Sequence, residues 1–368
     1  MSKNGSSKGL EDVIVAPSGL CFIDGINGKL LYSGIDIHEL AAKSSFEEIA
    51  YLLWFGNLPK PSELDQLNQN LVSNRNVPND ILSLIKSTPK ESDPMDVLRT
   101  SVSALSFHDT KRLDNTRDAN LTKALQLTAK MPTILAAFQR IRSGKPPISP
   151  RQDLSHAGNF LYMLKGEPPE KSIEHAFDVC LILHADHEMN ASTFAARVTA
   201  STYSDMYSAI TSAIGALNGP LHGGANRQVM LMLLEIKEPT GAQSYIKTKL
   251  TENRKIPGFG HRVYKTVDPR ATILREISKE MGRKSGETQW YEISRKIEEI
   301  MTVERKIYPN VDFYSATTYY GMGIPLDLFT SIFACSRIVG WSANLLEQYA
   351  DNRIIRPRSE YVGPKDRR

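Results

Sequence analysis

The chain is short of cysteine, of excess charge, of long apolar runs and of strand patterns, and each shortage excludes something. Three cysteines occur in 368 residues, Cys21, Cys180 and Cys335, far apart and inside apolar runs. They offer neither a disulfide framework nor a paired-thiolate metal spacing, so they read as buried core thiols in a reducing compartment. The net charge is only +4, and the last sixteen residues, Arg353 to Arg368, carry six Lys or Arg against two Asp or Glu. That tail alone accounts for the excess, and no basic groove or helix face remains for a nucleic acid. The most apolar stretch, Ile324 to Leu346, is interrupted by Asp327 and Arg337 and does not read as a membrane span. Met1 to Lys8 is polar and lacks the apolar region of a secretory signal. The expectation is a soluble, cytoplasmic protein.

Strand patterns are confined to the start. Leu20–Ile23 and Lys29–Tyr32 flank Asn27-Gly28 and predict a β-hairpin. Helical periodicity dominates from there on. Ser45-Phe46-Glu47-Glu48 is a capping box for a helix through Phe55, and Ser62 to about Arg75 follows with Leu64, Leu67 and Leu71 on one face. Further helices are predicted over about 94–107, 119–142, 153–164, 172–186, 191–203, 205–217, 226–236, 240–251, 270–282, 288–305 and 326–349. Met206, Ala209, Ile210, Ala213, Ile214 and Leu217 make the clearest stripe, which periodicity assigns to the core. The fold class is all-α with a short N-terminal hairpin. There is no low-complexity linker, so a domain split must run through turns such as 218–224 and 321–325.

Chemistry-bearing residues gather between these helices. Gly219-Pro220-Leu221-His222-Gly223-Gly224-Ala225-Asn226 places one histidine among residues without bulk. Its glycines are expected to reach backbone angles closed to other residues and to let a ligand approach the main chain. Ile256-Pro257-Gly258-Phe259-Gly260-His261-Arg262-Val263-Tyr264-Lys265 is a second Gly-flanked histidine, with Arg262 and Lys265 available for phosphates. His184 and His187 share a helical face if their helix persists, and with Glu188 they sketch a metal site. That pattern is weak, because it matches no established ligand spacing and has no cysteine partner; His184 reads better as a satisfied core histidine. Asp268-Pro269-Arg270 starts a helix with a cap, a first-turn proline and an arginine able to fork onto a carboxylate. Arg337 lies amid apolar neighbours and demands an anion, either a core Asp or Glu or a bound carboxylate. Asp312, in Asn310-Val311-Asp312-Phe313-Tyr314-Ser315, suits either a desolvated general base or a helix cap.

Taken together, His184-Ala-Asp-His187-Glu, Gly219-Pro-Leu-His222-Gly-Gly-Ala-Asn, Gly258-Phe-Gly-His261-Arg-Val-Tyr-Lys, Asp268-Pro-Arg270, Asn310-Val-Asp312-Phe-Tyr-Ser and Arg356-Pro-Arg resemble the citrate synthase family in order and spacing. Each motif alone is weak; six in register are specific, and the likeness runs from about Gly9-Leu10-Glu11 to Gly363-Pro364. The resemblance implies an all-α homodimer of the short bacterial and archaeal type. Residues 1–221 and 321–368 would form a large domain and 222–320 a small one that closes over oxaloacetate. It further implies Asp312 as the base that takes a methyl proton from acetyl-CoA, and His222 as donor to the enol oxygen. His261 would protonate the ketone, and His187 would polarise it. Arg270, Arg337 and Arg356 would hold carboxylates, Arg356 from across the interface. Lys255, Ile256, Pro257, Gly258, Phe259 and Gly260 would meet CoA, with Arg262 and Lys265 on its phosphates. CoA thioester would be a substrate, and no cofactor or metal is implied. 2-Methylcitrate synthesis from propionyl-CoA is the nearest alternative, and a metal-dependent hydrolase on His184, His187 and Glu188 a remote one. Retention of His222, His261 and Asp312 argues against a catalytically dead relative.

Overall fold

A computed structural model of the chain describes residues 8–10 and 13–365. Glu11, within the family-like stretch, and Arg367 and Arg368 of the basic tail lie outside the described residues.

Three short antiparallel strands open the fold: β1 (Cys21–Asp24), β2 (Lys29–Tyr32) and β3 (Ile35–Asp36), in sheet order β1-β2-β3. β1 pairs with β2 in the register Cys21↔Tyr32 to Asp24↔Lys29, around the expected Asn27-Gly28 turn. Helices make up nearly all the rest. They are α1 (Ile37–Lys43), α2 (Phe46–Phe55), α3 (Pro61–Ser73), α4 (Asn79–Ser87), α5 (Pro94–Leu105), α6 (Arg117–Arg142), α7 (His156–Lys165) and α8 (Lys171–His184). After these come α9 (Ala191–Ser201), α10 (Met206–Leu217), α11 (Ala225–Ile236), α12 (Ala242–Thr251), α13 (Pro269–Ser285), α14 (Gln289–Arg305), α15 (Val311–Gly321) and α16 (Phe329–Ala350).

The predicted capping box is formed: Ser45 Oγ accepts from Glu48 N and Glu48 answers to Ser45 N. The Met206 stripe of α10 is buried throughout, as its periodicity implies. Cys180 and Cys335 are buried thiols, whereas Cys21 is only partly covered. Three helices escape the sequence reading, α1, α4 and α15. The first two are short, and α15 is buried on every face from Val311 to Tyr319, so it shows no polar side for periodicity to find. No described helix is long and apolar enough to cross a membrane.

Helix α16 is the axis of the core and packs against α2, α5, α6, α8, α9, α10 and α11. Trp341 and Arg337 on it are its largest wholly covered side chains. Close approach to the end of α8 depends on Gly340. Its N–H donates to Ala185 O at 3.1 Å, and a Cβ there would stand 2.3 Å from that oxygen and 2.5 Å from Asp186 Oδ1. From the other side Tyr32 Oη donates to Asp186 O at 2.9 Å and accepts from Asp186 N at 3.2 Å. The turn that carries His187 is thus clamped between β2 and α16. Gly340→Ala is expected to lower unfolding free energy by about 1–3 kcal/mol through overpacking, measured by denaturant titration; an unchanged midpoint would contradict the clamp.

Candidate active site

The short connection between α8 and α9 sets out the first histidine. Helix α8 stops at His184, two residues short of the predicted 186, and does not persist to His187, so His184 and His187 do not share a helical face. His184 Nδ1 donates to Cys180 O at 2.7 Å while its ring edge meets Phe333, and Glu188 is exposed. The three groups of the remote metal reading therefore diverge, and no described cluster of three or more His, Cys, Asp or Glu has metal-holding geometry. His184 is a core residue with one ring nitrogen satisfied and Nε2 left without a partner. His187 is buried, and its Nε2 also lacks a described partner.

Asn190 then caps α9, its Oδ1 accepting from Ser192 N and Thr193 N at 3.2 and 3.1 Å and its Nδ2 donating to His187 O at 3.3 Å. The cap brings Ser192 under His222. His222 Nε2 lies 2.8 Å from Ser192 Oγ and 3.2 Å from Ser192 N. A main-chain N–H can only donate, so Nε2 is the acceptor and the proton of the neutral ring sits on Nδ1. Burial, reinforced by Arg337, lowers the His222 pKa to about 4, which keeps that ring neutral.

The turn that holds His222 differs in one respect from expectation. Gly219, Gly223 and Gly224 are absent from the positive-φ positions, so no forbidden backbone angle explains them. Gly223 is there for space: its N–H donates to Leu217 O at 2.9 Å, and a Cβ would stand 2.5 Å from that oxygen. Helix α11 starts just beyond.

The second loop does need its glycines. Gly258 and Gly260 have φ of 77° and 80°. Between them Phe259 bridges to Pro309 and packs its ring 4.5 Å from that of Phe313. Gly260 N donates to Tyr308 O, Asn310 N to Gly258 O and Asn310 Nδ2 to Gly260 O, each at 2.9 Å. This strap fixes the segment entering α15 against the segment entering His261. Within the loop Ile256 is buried, Pro257 and Phe259 half-buried, and Lys255, Arg262 and Lys265 exposed.

His261 Nδ1 accepts from Val263 N at 3.0 Å and Tyr264 N at 3.1 Å, which leaves its proton on Nε2. Burial and then Arg270 lower its pKa to about 4. Its ring stands 5.0 Å from that of His187, edge to face, with Tyr264 against both. His187 is held well below the usual histidine range by burial, with Arg270, His261 and Arg337 adding to it. All three histidines are therefore neutral at physiological pH.

Asp312 sits in the first turn of α15, where Asn310 Oδ1 accepts from its N–H at 3.0 Å. Asn310 is the cap, and the Asp312 carboxyl is released for other work: it is buried, and its Oδ1 has no described partner. Burial raises its pKa to about 7, against the pull of Arg270 and Arg337.

Arg270 and Arg337 differ sharply. Arg270 Nε and Nη2 fork onto Asp268 at 3.0 and 2.8 Å, and Asp268 Oδ2 also accepts from Val311 N at 3.2 Å. Asp268 thereby ties the starts of α13 and α15 together. Burial works against its charge, but Arg270 holds its pKa below the usual range. The expected fork of Arg270 is thus occupied by its own helix cap, and only the Nη1 side is left for a ligand. Arg337 has no carboxylate within 4.0 Å among the described residues. Its Nε donates to His184 O at 2.6 Å and its guanidinium lies over the Phe333 ring. Of the two alternatives left open for it, a core acid and a bound carboxylate, the described residues offer towards the first only buried Asp186, whose charge Arg337 feels from beyond ion-pair distance.

Arg356 is not brought to this cluster within the chain. It is exposed on the segment after α16, whose neighbour Ile355 donates from its N–H to Ser201 Oγ at 3.0 Å. Ser201 ends α9 and Ser192 begins it, so the anchor is about 14 Å along the helix from the His222 contact. Ser192, absent from the sequence-derived candidates, is the residue that reasoning missed. It lies thirty positions from His222, and only its place two residues after a capping Asn190 hinted at it.

Comparison with known proteins follows the same geometry. A family model described as "Citrate synthase, C-terminal domain" matches residues 9–358. "Citrate synthase 2" of Bacillus subtilis is 52% identical, covering 98% of this chain and 96% of that protein. The "Citrate/2-methylcitrate synthase" of the same organism is 43% identical over 98% of this chain and 97% of its own. Among solved structures, citrate synthase from Thermoplasma acidophilum, in ternary complex with carboxymethyl coenzyme A and oxaloacetate, superposes with a TM-score of 0.94 at 37% identity, covering 99% and 97% of the two chains. With the six motifs in register and the fold matched end to end, the chain belongs to the citrate synthase family.

Proposed function

We propose that this chain condenses acetyl-CoA with oxaloacetate and water to give citrate and CoA, the step by which acetyl units enter the tricarboxylic acid cycle. The observation that carries the reading is a buried carboxyl with a free Oδ1, raised to about 7, which shares the charges of Arg270 and Arg337 with three histidines all held neutral. A carboxylate is a weak base towards a C–H bond, so proton removal works only if the enol oxygen is stabilised as it forms. Asp312 takes the methyl proton, and His222 offers Nδ1–H to that oxygen. The enol carbon then attacks the ketone of oxaloacetate, while His261 gives its Nε2 proton to the ketone oxygen and His187 polarises the same carbonyl. Water finally cleaves the citryl-CoA thioester, releasing citrate and CoA.

Two buried polar atoms without partners, Asp312 Oδ1 and His187 Nε2, are accounted for by substrate. Arg337 and the open side of Arg270 receive the oxaloacetate carboxylates, and Arg356 reaches the site of a second copy in a homodimer. The strapped loop from Lys255 to Gly260 meets CoA, with exposed Arg262 and Lys265 for its phosphates. Residues 222–320 move as the small domain over 1–221 and 321–368, hinged at the His222 turn and at 321–325, and so keep water from the thioester before condensation. No cofactor takes part, and the enzyme works in the cytoplasm, in keeping with its three free thiols.

The bifunctional relative gives a second reading, 2-methylcitrate from propionyl-CoA. One methylene in an apolar pocket discriminates by about 1–3 kcal/mol, or roughly 10- to 200-fold. Steady-state kinetics with both thioesters are expected to show higher kcat/KM for acetyl-CoA. A preference for propionyl-CoA would replace this assignment, and no condensation with either would end it.

A further inference from the structure

The chain beyond α16 is tied back to α9 by a closed ring of hydrogen bonds. Arg197, buried within α9, donates from Nε to Gln348 Oε1 at 3.0 Å and from Nη1 to Asn344 Oδ1 and Glu347 Oε2 at 3.0 and 3.1 Å, all on α16. Gln348 Nε2 donates to Asn352 Oδ1 at 3.0 Å, and Asn352 Nδ2 donates to Ser201 O at 3.1 Å, which returns the ring to α9. Ser201 is the last residue of α9, so its carbonyl has no partner within the helix and Asn352 supplies one. Beside it, Ser201 Oγ gives its proton to Val198 O at 2.7 Å and accepts from Ile355 N at 3.0 Å.

The ring has a direction, and Arg197 imposes it. A guanidinium can only donate, so Gln348 turns its carbonyl to Arg197 and its NH2 to Asn352. Asn352 must then turn its own carbonyl to Gln348, which leaves its NH2 for Ser201 O. Flipping either amide would set like groups face to face. Arg197, Gln348 and Ser201 are all buried, so solvent offers no easy alternative partner. Asn352 is thereby held in one orientation, and the chain leaves α16 in one direction. Ile355 is half-buried on its anchor and Arg356 beside it is exposed, so the arginine is turned away from the copy that carries it. We infer that Arg197, Gln348 and Asn352 are positioning residues, which fix the exit of the C-terminal arm so that Arg356 reaches the oxaloacetate site of a second copy. This rests on the homodimer reading proposed above. The three act through the arm, with no contact of their own to substrate.

Asn352 is half-buried just past α16, so Asn352→Ala removes the link without opening the core. Loss of one hydrogen bond corresponds to roughly 2- to 13-fold, and we expect KM for oxaloacetate to rise by that factor with kcat within twofold of native. Gln348→Glu is the sharper variant. Its carboxylate still accepts from Arg197 but has no proton for Asn352, and KM should rise at least as far. In an Arg356→Ala background neither substitution should raise KM again, because the group they position is gone. Hybrid dimers separate the inference from its premise. When Asn352→Ala is paired with an Asp312→Asn copy, the live site receives a native arm and should keep the native KM. When both substitutions sit on one copy beside a native partner, the live site receives the loosened arm and KM should rise. An unchanged KM in both single variants, or an equal further rise on Arg356→Ala, would overturn the positioning role. The reverse hybrid pattern would instead overturn the premise, since the arm would then serve its own copy.

Discussion

Asp312→Asn is expected to keep the fold and oxaloacetate binding and to lower turnover by about a thousandfold, within the range set by loss of a positioned general base. Asparagine preserves the shape of the side chain and the cap made by Asn310, so the loss is chemical. The native enzyme should show kcat/KM rising with pH through about 7 and then levelling, because Asp312 must be ionised to act. The histidines cannot supply that limb, since His222 and His261 shed their protons near 4. The same shift fixes the sign of a stability effect. Between the unfolded value of about 4 and the folded value of about 7, the folded state holds a proton that the unfolded state has released. Stability therefore falls as pH rises through that window, and levels off above it. Replacing Asp312 by neutral Asn removes this cost, and at pH 8 the variant should unfold at a higher temperature than native. Calorimetry at pH 5 and pH 8 checks it. A variant with near-native turnover, or one less stable at pH 8 than at pH 5 by the native margin, would remove Asp312 from the base's role.

How much of this was legible beforehand depends on the kind of signal. Helices with one wet face announced themselves by period, as α10 did, whereas α15 is covered on every side and gave nothing to count although it carries Asp312. Residues close in sequence were readable as units: Asp268 as cap and Arg270 beside it were visible, and the structure adds that the two are bonded to each other. The Gly-flanked histidines were visible too, but the cause differed between them. Gly258 and Gly260 supply positive φ, while Gly223 makes room for Leu217 O. Contacts across long separations left no trace. Nothing in a linear reading couples Ser192 to His222, Trp341 to Ser192, or Tyr32 to the His187 turn. Roles at the site came from motif resemblance; tautomers and charge states came from hydrogen bonds and burial, which only the folded chain displays.

Arg337→Met is expected to weaken oxaloacetate binding by roughly 10²- to 10⁴-fold, taking two charge-assisted hydrogen bonds at about 1.5–3 kcal/mol each, while leaving the ligand-free protein no less stable. The second half follows from what Arg337 lacks. It is buried without a carboxylate in contact, so the empty site bears the cost of its charge, and burial already lowers its pKa. Asp186, raised to about 6 by burial against the pull of Arg337, becomes easier to protonate once that pull is gone, so no bare anion is stranded. Asp312 loses the same pull, and the rising limb of residual kcat/KM should move above 7. Arg270 provides the contrast. Its substitution by Met leaves Asp268, 1% exposed, as an unpaired buried carboxylate, and should cost about 3–5 kcal/mol of stability. Two arginines with the same proposed ligand are thus expected to part in the unfolding experiment: Arg337→Met stable and blind to oxaloacetate, Arg270→Met unstable before any ligand is added. Titration calorimetry with oxaloacetate and thermal unfolding of both variants make the comparison. If Arg337→Met binds oxaloacetate within threefold of native, the carboxylate it waits for is not the substrate's.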